Sequence, residues 1–202
     1  MPLGGTGPLE NPYTLSLDPA GDIWIGDRSG AASHLYEYSA PFTSSSVPAL
    51  TLTNANGLTD ATGTAFDGAG HMAVGQEASH NVLVYNTPLT ITSMPFATIP
   101  LAGPGQGVAF DSAGNLYAAI EQAPGGIAVF HPPFTNGETP AFSFGSAIGA
   151  FPAFDSSGNL WVPDFNQHVN EYSPPFSAAS AVAVSVPLVG GTGAATGVAF
   201  GP

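Results

Sequence analysis

An aspartate and a histidine recur as a pair at two places in the sequence. Asp27 is followed by His34, and Asp164 is followed by His168. Carboxylate oxygens bind Ca²⁺ well, and imidazole nitrogens bind transition metals, so these four residues are candidate metal ligands and acid/base groups. Each pair could instead fix its own loop through a local hydrogen bond. The sequence leaves both interpretations open.

Three further side chains of similar chemistry lie at corresponding places in the middle of the chain, namely Glu77, His80 and Glu121. Together with the two Asp–His pairs they form the set of candidate ligand-contacting residues. The sequence contains no G-x-S-x-G nucleophile motif, no H-E-x-x-H zinc motif and no phosphate-binding P-loop. It therefore assigns no catalytic residue. We expect either no cofactor or a divalent metal such as Ca²⁺.

A four-fold repeat determines where these side chains must lie. Each repeat contains an apolar residue, Asp, two small residues, Gly, a polar residue and an alternating apolar run, at a period of about 45 residues. Short strands at such a period are typical of β-propeller blades. The four aspartates that mark the repeats are Asp18, Asp67, Asp111 and Asp155.

We predict an all-β protein: a β-propeller with four four-stranded blades plus the first strand of a fifth repeat. It forms a single domain over residues 1–202. In each blade, strands a to d follow one another, and the candidate residues lie in the b–c loops, which share one face of a propeller with the d–a loops. The repeats span approximately 14–62, 63–106, 107–150 and 151–196, with a partial fifth repeat at 197–202.

The composition excludes several classes of function. The chain of 202 residues has one Arg, no Lys and a formal charge of −13, so it lacks the basic surface that nucleic acids and anionic membranes require. It has no Cys and no apolar run long enough to span a membrane, so we expect no membrane insertion. Its small, polar and lysine-free character favours an extracellular or cell-surface protein whose signal lies outside this chain.

The repeat resembles a known family. The pattern of an apolar residue, Asp-x-x-Gly-Asn-Leu and Tyr or Trp, as in Phe110–Tyr117 and Phe154–Trp161, is similar to the NHL repeat. It is also similar to the wider group of six-bladed propellers that includes the gluconolactonase/regucalcin-type enzymes and the virginiamycin B lyase-like proteins. The resemblance implies a propeller fold. It carries no metal-ligand set over to this chain, because none matches residue by residue.

The two ends of the chain lie at the same phase of the repeat, since Pro2–Gly7 and Pro187–Gly193 are nearly the same string. Open blades expose apolar faces, so we predict self-association or a longer parent chain.

The favoured function is a non-catalytic extracellular propeller, a binding or structural scaffold with a small-molecule or glycan ligand. The alternative is a metal-dependent hydrolase or lyase of the lactonase or virginiamycin B lyase type. A lectin that stacks sugars on Trp24, Tyr117 or Trp161 is a third interpretation.

Overall fold

The structure is a computed structural model that describes residues 9–28, 33–122, 125–145, 149–189 and 194–200. In this part of the chain there are sixteen β-strands and one short 3₁₀-helix, Asn54–Asn56. No helix in it is long and apolar enough to cross a membrane. The strands in chain order are β1 (Pro12–Leu17), β2 (Ile23–Asp27), β3 (His34–Tyr38), β4 (Leu50–Leu52), β5 (Ala61–Phe66), β6 (His71–Gln76), β7 (Asn81–Asn86), β8 (Ala97–Pro100), β9 (Gly105–Phe110), β10 (Leu116–Ile120), β11 (Gly126–Phe130), β12 (Phe142–Phe144), β13 (Ala153–Phe154), β14 (Leu160–Pro163), β15 (His168–Tyr172) and β16 (Val184–Pro187).

The strands form four antiparallel sheets of four strands each. Every sheet contains four consecutive strands, β1–β4, β5–β8, β9–β12 and β13–β16, and each strand pairs with the next one in the chain. This confirms the predicted propeller of four four-stranded blades. Each inner strand, which opens its blade, lies beside the inner strand of the next blade, as the packing of β1 on β5 and of β5 on β9 shows.

The repeated Asp-x-x-Gly turn joins the first two strands of each blade. In the third blade, Oδ1 of Asp111 accepts hydrogen bonds from the backbone N–H groups of Ala113 and Asn115, both at 2.9 Å. Oδ2 accepts from the hydroxyl of Tyr117 at 3.2 Å. The glycine that follows, Gly114, has φ +81°, which strongly favours glycine. The same contacts recur at Asp18 and Asp155, where a Trp indole N–H takes the place of the Tyr hydroxyl.

Small residues in the inner strands let neighbouring blades approach closely around the axis. A Cβ added at Gly63 would lie 2.7 Å from the carbonyl oxygen of Gln106, and one added at Gly107 would lie 2.6 Å from that of Ala150. Both contacts are with the backbone of the next blade, which cannot move aside as a flexible side chain can. Glycine is therefore required at these two positions by the spacing of the blades.

An aromatic residue on the second strand of a blade packs against the apolar residue that precedes the repeated Asp in the next blade. The ring centroids are 5.8 Å apart for Trp24 and Phe66, and 5.0 Å apart for Tyr117 and Phe154. The apolar residue after the repeated proline fills the rest of the gap. Phe176 of the fourth blade, for example, lies 5.4 Å from Tyr117.

The C-terminal residues continue this pattern at the place of a fifth inner strand. Gly197 forms a parallel bridge with Phe151, and the ring of Phe200 lies 6.0 Å from that of Trp161. This is the place that Phe66 and Phe154 take on the preceding blades. In the described residues 194–200, the predicted first strand of a fifth repeat is therefore represented by an isolated bridge and not by a regular strand.

Candidate functional site

Polar side chains from the first three repeats meet at one end of the propeller axis. Arg28, Glu77 and Glu121 each come directly after the second strand of their blade, and so occupy the same position in three consecutive repeats. Asp60 directly precedes the inner strand β5. Two inner-strand residues complete the group, which we call the axial cluster: Tyr13, Arg28, Asp60, Glu77, Gln106 and Glu121.

Irregularities in the inner strands aim two of these side chains at the axis. The pairing of β1 with β2 shifts between Pro12 and Thr14, so Tyr13 lies in the irregular part of the ladder. The pairing of β9 with β10 shifts in the same way between Gly105 and Val108, which places Gln106 there. Bulges of this kind redirect side chains and are frequent beside functional sites.

Arg28 is the centre of the axial cluster. Its Nε lies 2.8 Å from Oδ1 of Asp60, and its Nη2 lies 2.6 Å from Oε2 of Glu77. The guanidinium also lies over the ring of Tyr13, with Cζ 4.3 Å from the ring centroid, which is within the range of a cation–π contact. One cation therefore joins two carboxylates and an aromatic ring from the first two blades.

Gln106 connects the remaining members of the cluster. Its Nε2 donates to Oε2 of Glu77 at 3.1 Å and to Oε2 of Glu121 at 2.6 Å. Its Oε1 accepts from the hydroxyl of Tyr13 at 3.0 Å. Gln106 is buried, so these bonds satisfy its amide and hold the two glutamates beside each other.

The charges of the axial cluster do not cancel, because three carboxylates face one guanidinium. Burial raises the pKa of Glu77, and the negative charges of Glu121 and Asp60 add to this effect, while Arg28 acts in the opposite direction. Burial acts to lower the pKa of Arg28, but the hydrogen bond and charge of Asp60 outweigh it and raise that pKa. The arginine therefore stays charged, and Glu77 binds a proton more readily than an exposed glutamate.

Tyr13 also borders a cavity of about 420 Å³. The rest of its lining includes the inner-strand residues Thr64 and Val108, together with Phe151 and the C-terminal segment around Gly197. Small-molecule sites typically have volumes of about 300–1,000 Å³. The cavity is thus large enough for a small molecule, and Tyr13 is the member of the axial cluster that lines it.

Among the candidates predicted from sequence, Glu77 and Glu121 lie in the axial cluster. His80 is an exposed loop residue with φ +51°, and its carbonyl accepts from the N–H of Leu101. The sequence-derived candidates did not include Tyr13, Arg28, Asp60 or Gln106. Tyr13 and Gln106 share one position, four residues before the apolar residue that precedes the repeated Asp, and this is the signal that could have identified those two.

The two predicted Asp–His pairs lie elsewhere and bind their own surroundings. Asp27 is buried, faces His34 across the β2–β3 ladder, and accepts from the backbone N–H groups of Glu10 and Asn11 at 2.7 and 3.0 Å. Asp164 accepts from the N–H of His168 at 2.8 Å, and Nδ1 of that histidine is 3.7 Å from its carboxylate. For Asp164 this is the local contact that the sequence left open as an alternative, whereas the bonds of Asp27 come from the backbone of a segment 16 and 17 residues away. A ligand role for the four residues stays a prediction.

One group of carboxylates in the described part of the chain could hold a metal ion. Oxygens of Asp18, Asp22 and Glu37 lie within 4.8 Å of one another, beside the a–b turn of the first blade. In the other three blades the residue that matches Asp22 bonds to the repeated Asp, as Asn115 does by donating to Asp111 at 2.8 Å. Asp22 instead accepts from the N–H of Ala40, and its charge helps to raise the pKa of Glu37, though burial contributes most.

The chain shares its fold with solved propeller enzymes. A gluconolactonase from Xanthomonas campestris matches with a TM-score of 0.57 and 18% identity over 79% of this chain and 56% of the other. A Thermus thermophilus protein described as a putative oxidoreductase, a glucose dehydrogenase, matches with a TM-score of 0.58 and 13% identity over 97% of this chain and 89% of the other. The chain has the propeller fold of the gluconolactonase and glucose dehydrogenase group. It spans just over half the length of the gluconolactonase. No protein-family model matches the sequence, and no curated protein is similar to it in sequence.

These comparisons correct the function predicted from sequence. The non-catalytic scaffold was favoured in part because no catalytic motif could be found, but the two solved proteins named above are described as a gluconolactonase and a putative oxidoreductase. The physical reason for the error is that a propeller assembles its site from separate loops around the axis, so the site leaves no contiguous motif. The two neighbours point to the alternative, a hydrolase of the lactonase type, rather than to the scaffold.

Proposed function

We propose that this chain is a hydrolase that opens a small cyclic ester, such as a sugar lactone, at the axial cluster. The observation that carries the proposal is the convergence of Arg28, Glu77 and Glu121 from equivalent positions of three consecutive repeats. Repeated positions normally carry structural residues, yet here they bring one cation and two carboxylates together beside Tyr13, which lines a cavity. The solved gluconolactonase with the same fold supports a lactone as the substrate class.

Glu77 is suited to act as the general base. Among the described residues, its partners Arg28 and Gln106 both engage Oε2, which leaves Oε1 to accept a proton from water. Its raised pKa brings the carboxylate closer to the range in which proton transfer in both directions is efficient. Glu121, held beside it by Gln106, keeps that pKa raised through its negative charge.

Arg28 is suited to stabilise the negative charge that develops on the substrate. When water attacks the lactone carbonyl, Glu77 takes one proton from the water, and the carbonyl oxygen becomes an oxyanion near the guanidinium. Collapse of this intermediate breaks the bond between the carbonyl carbon and the ring oxygen. Glu77 then returns its proton to the departing ring oxygen, which leaves a hydroxy acid and restores the enzyme.

A divalent cation such as Ca²⁺ is the cofactor implied by the resemblance to gluconolactonase-type propellers. The axial residues do not fit one readily, because the guanidinium of Arg28 already binds Asp60 and Glu77 where an ion would have to bind. The proposed reaction therefore uses the positive charge of Arg28 and includes no step through a metal. The extracellular location predicted from composition is kept as part of the proposal, and fractionation of the source cells would test it.

The test is an assay of the purified chain against a panel of five- and six-membered sugar lactones, with acid release followed by a pH indicator. We expect hydrolysis above the uncatalysed rate, and loss of that excess in Glu77→Gln. Glu171→Gln, which removes a carboxylate of the fourth blade outside the axial cluster, is the matched control and should keep full activity. Equal rates in the wild type and Glu77→Gln would refute the assignment of the axial cluster.

A further inference from the structure

A second cavity, with a volume of about 630 Å³, lies between the third and fourth blades. Its lining includes Asn115, His131 and Phe142 of the third blade, and Phe154, Ser156 and Phe176 of the fourth. We call this cavity the His131 cleft. Asn115 directly precedes β10, whereas Glu121 of the axial cluster directly follows it. The His131 cleft and the axial cluster therefore lie at opposite ends of the third blade.

The size of one repeated residue determines how far the gap between two blades is filled. The second strand of the third blade carries Tyr117, where that of the second blade carries Ala73. Beside the small Ala73, the aromatic residue after the next repeated proline, Phe134, enters the gap and is only 5% exposed. The corresponding Phe176 lies 5.4 Å from the ring of Tyr117 and stays partly exposed. The bulk of Tyr117 thus keeps the His131 cleft open.

A chain of hydrogen bonds determines which nitrogen of His131 carries the proton. The carboxylate of Asp111 can only accept, so Nδ2 of Asn115 donates to it at 2.8 Å, and Oδ1 of Asn115 is left to face His131. Nδ1 of His131 lies 2.7 Å from that oxygen and must donate to it. Nε2 of the neutral imidazole is then an acceptor. No group in the described part of the chain donates to this nitrogen.

The pair of Asn115 and His131 occurs in one repeat only. The residues at the position of His131 in the other blades are Ser39, Asn86 and Ser173. The corresponding cleft between the first and second blades has a volume of about 280 Å³ and is lined in part by Trp24, Glu37 and Leu89. Because the other three blades form the same turn without this pair, the turn itself does not require it.

The lining of the cleft favours a neutral ligand that carries hydroxyl groups. Arg28, the one strong base of the chain, lies in the axial cluster, whereas Asp111 and Asp155 line the cleft and repel anions. Both oxygens of each carboxylate already accept hydrogen bonds within their own blade, so a metal ion would have to displace them. A purely apolar ligand would cover Nε2 of His131 and the hydroxyl of Ser156 without giving either a partner, which is costly.

We propose that the His131 cleft binds a neutral saccharide. The apolar face of a sugar ring packs on the partly exposed rings of Phe154 and Phe176, and one sugar hydroxyl donates to Nε2 of His131. Such a combination of aromatic surface and a few fixed polar groups is typical of small-molecule sites. Tyr117, which the sequence suggested as a stacking surface, is 2% exposed and supports the two rings from behind.

A proline-rich peptide is the other common partner of an aromatic cleft. Proline has no backbone N–H, so a run of prolines would leave Nε2 of His131 without a donor. The saccharide therefore fits the cleft better. Its binding does not depend on the proposed hydrolysis of lactones, because the two sites lie at opposite ends of the blade.

The experiment titrates the full chain with the neutral oligosaccharides cellohexaose, maltohexaose and mannohexaose in a calorimeter. The wild type should bind at least one of them. His131→Phe keeps a ring but removes Nε2, so binding should weaken about tenfold, as expected for one lost hydrogen bond. Ser156→Trp places a bulky side chain at an exposed residue of the cleft and should abolish binding. Asn86→Phe, at the position of His131 in the second blade, is the matched control and should bind like the wild type.

Four results would overturn the proposal. Failure of the wild type to bind any of the three oligosaccharides shows that the cleft is not a saccharide site. Binding that survives in both cleft variants, when their circular dichroism is that of the wild type, places the saccharide elsewhere. Loss of binding in Ser156→Trp but not in His131→Phe refutes the role of Nε2. Tighter binding of a decaproline peptide than of the oligosaccharides, lost in Ser156→Trp, assigns the cleft to a proline-rich partner.

Discussion

The guanidinium of Arg28 lies 2.6 Å from Oε2 of Glu77, and this contact joins the first blade to the second at the end of the axis. The two residues occupy the same position in consecutive repeats and carry opposite charges. Because Arg28 also binds Asp60, its removal would leave two partly buried carboxylates without a cation. The pair is therefore the place where the structure of the axial cluster can be tested most directly.

Replacement of Arg28 should affect both stability and activity. Arg28→Met keeps much of the side-chain length and removes the charge, so we expect the free energy of unfolding to fall by on the order of 1 kcal/mol, as for partly exposed ion pairs. The rate of lactone hydrolysis should fall even under conditions in which the variant is fully folded. Denaturant unfolding and the lactone assay measure the two effects. A lysine carries its charge at one point and cannot bind Asp60 and Glu77 through two separate nitrogens as Arg28 does. Recovery of kcat in Arg28→Lys would therefore show that the two simultaneous bonds are not needed.

Glu77 should give the activity a dependence on pH. The base must be ionised, so kcat/KM should rise with pH through a pKa above the ordinary glutamate value, which follows from the direction of the shift. In Glu121→Gln the midpoint should move to lower pH, because a negative charge that raises the pKa of Glu77 is gone. Glu77→Gln should lose about 10²–10⁴-fold in kcat. A pH profile that does not move in Glu121→Gln would contradict the proposed electrostatic coupling.

The repeated Asp155 should stabilise the fold in a pH-dependent manner. The hydrogen bond from the indole N–H of Trp161, supported by those from Asn159 and Ser157, lowers the pKa of Asp155 to about 2. A carboxyl whose pKa is lowered by folding stabilises the folded state at any pH above the pKa that the same carboxyl has in the unfolded chain. That stabilisation is lost as the pH falls to about 2. Asp155→Ala should thus lower Tm at pH 7, with a smaller difference as the pH approaches 2.5. A constant difference from pH 7 to pH 2.5 would show that ionisation is not the cause.

Gly107 should not tolerate a side chain. A Cβ there would lie 2.6 Å from the carbonyl oxygen of Ala150 in the next blade, so Gly107→Ala should destabilise the protein by about 1–3 kcal/mol, as overpacking does. Gly68→Ala is the control, because a Cβ at that turn position meets nothing within 4 Å. Denaturant unfolding of both variants is the measurement. Equal stability of the two would show that the blades can move apart at the axis.

The sequence by itself determined the blades. The Asp-x-x-Gly turn is a local device in which Asp111 binds N–H groups two and four residues ahead, and so its spacing alone marks the repeats. The alternation of apolar residues on both sides of it predicted the strands, and the phase of Phe200 predicted that the C-terminal segment takes the place of a fifth inner strand. Each of these features can be recognised from residues that are close together in the chain, or from a position that recurs in every repeat.

Only the tertiary structure decided which side chains share a site. Tyr13 and Gln106 are 93 residues apart, and they meet because two inner strands bulge toward one axis. Asp27 and Asp164 have the residue type of metal ligands, but backbone N–H groups of nearby segments bind both carboxylates. Leu52 and Val186 occupy the same position of their repeats, yet Leu52 is buried and Val186 is exposed. What a residue contacts depends on whether another blade lies against it, and that is a property of the folded chain.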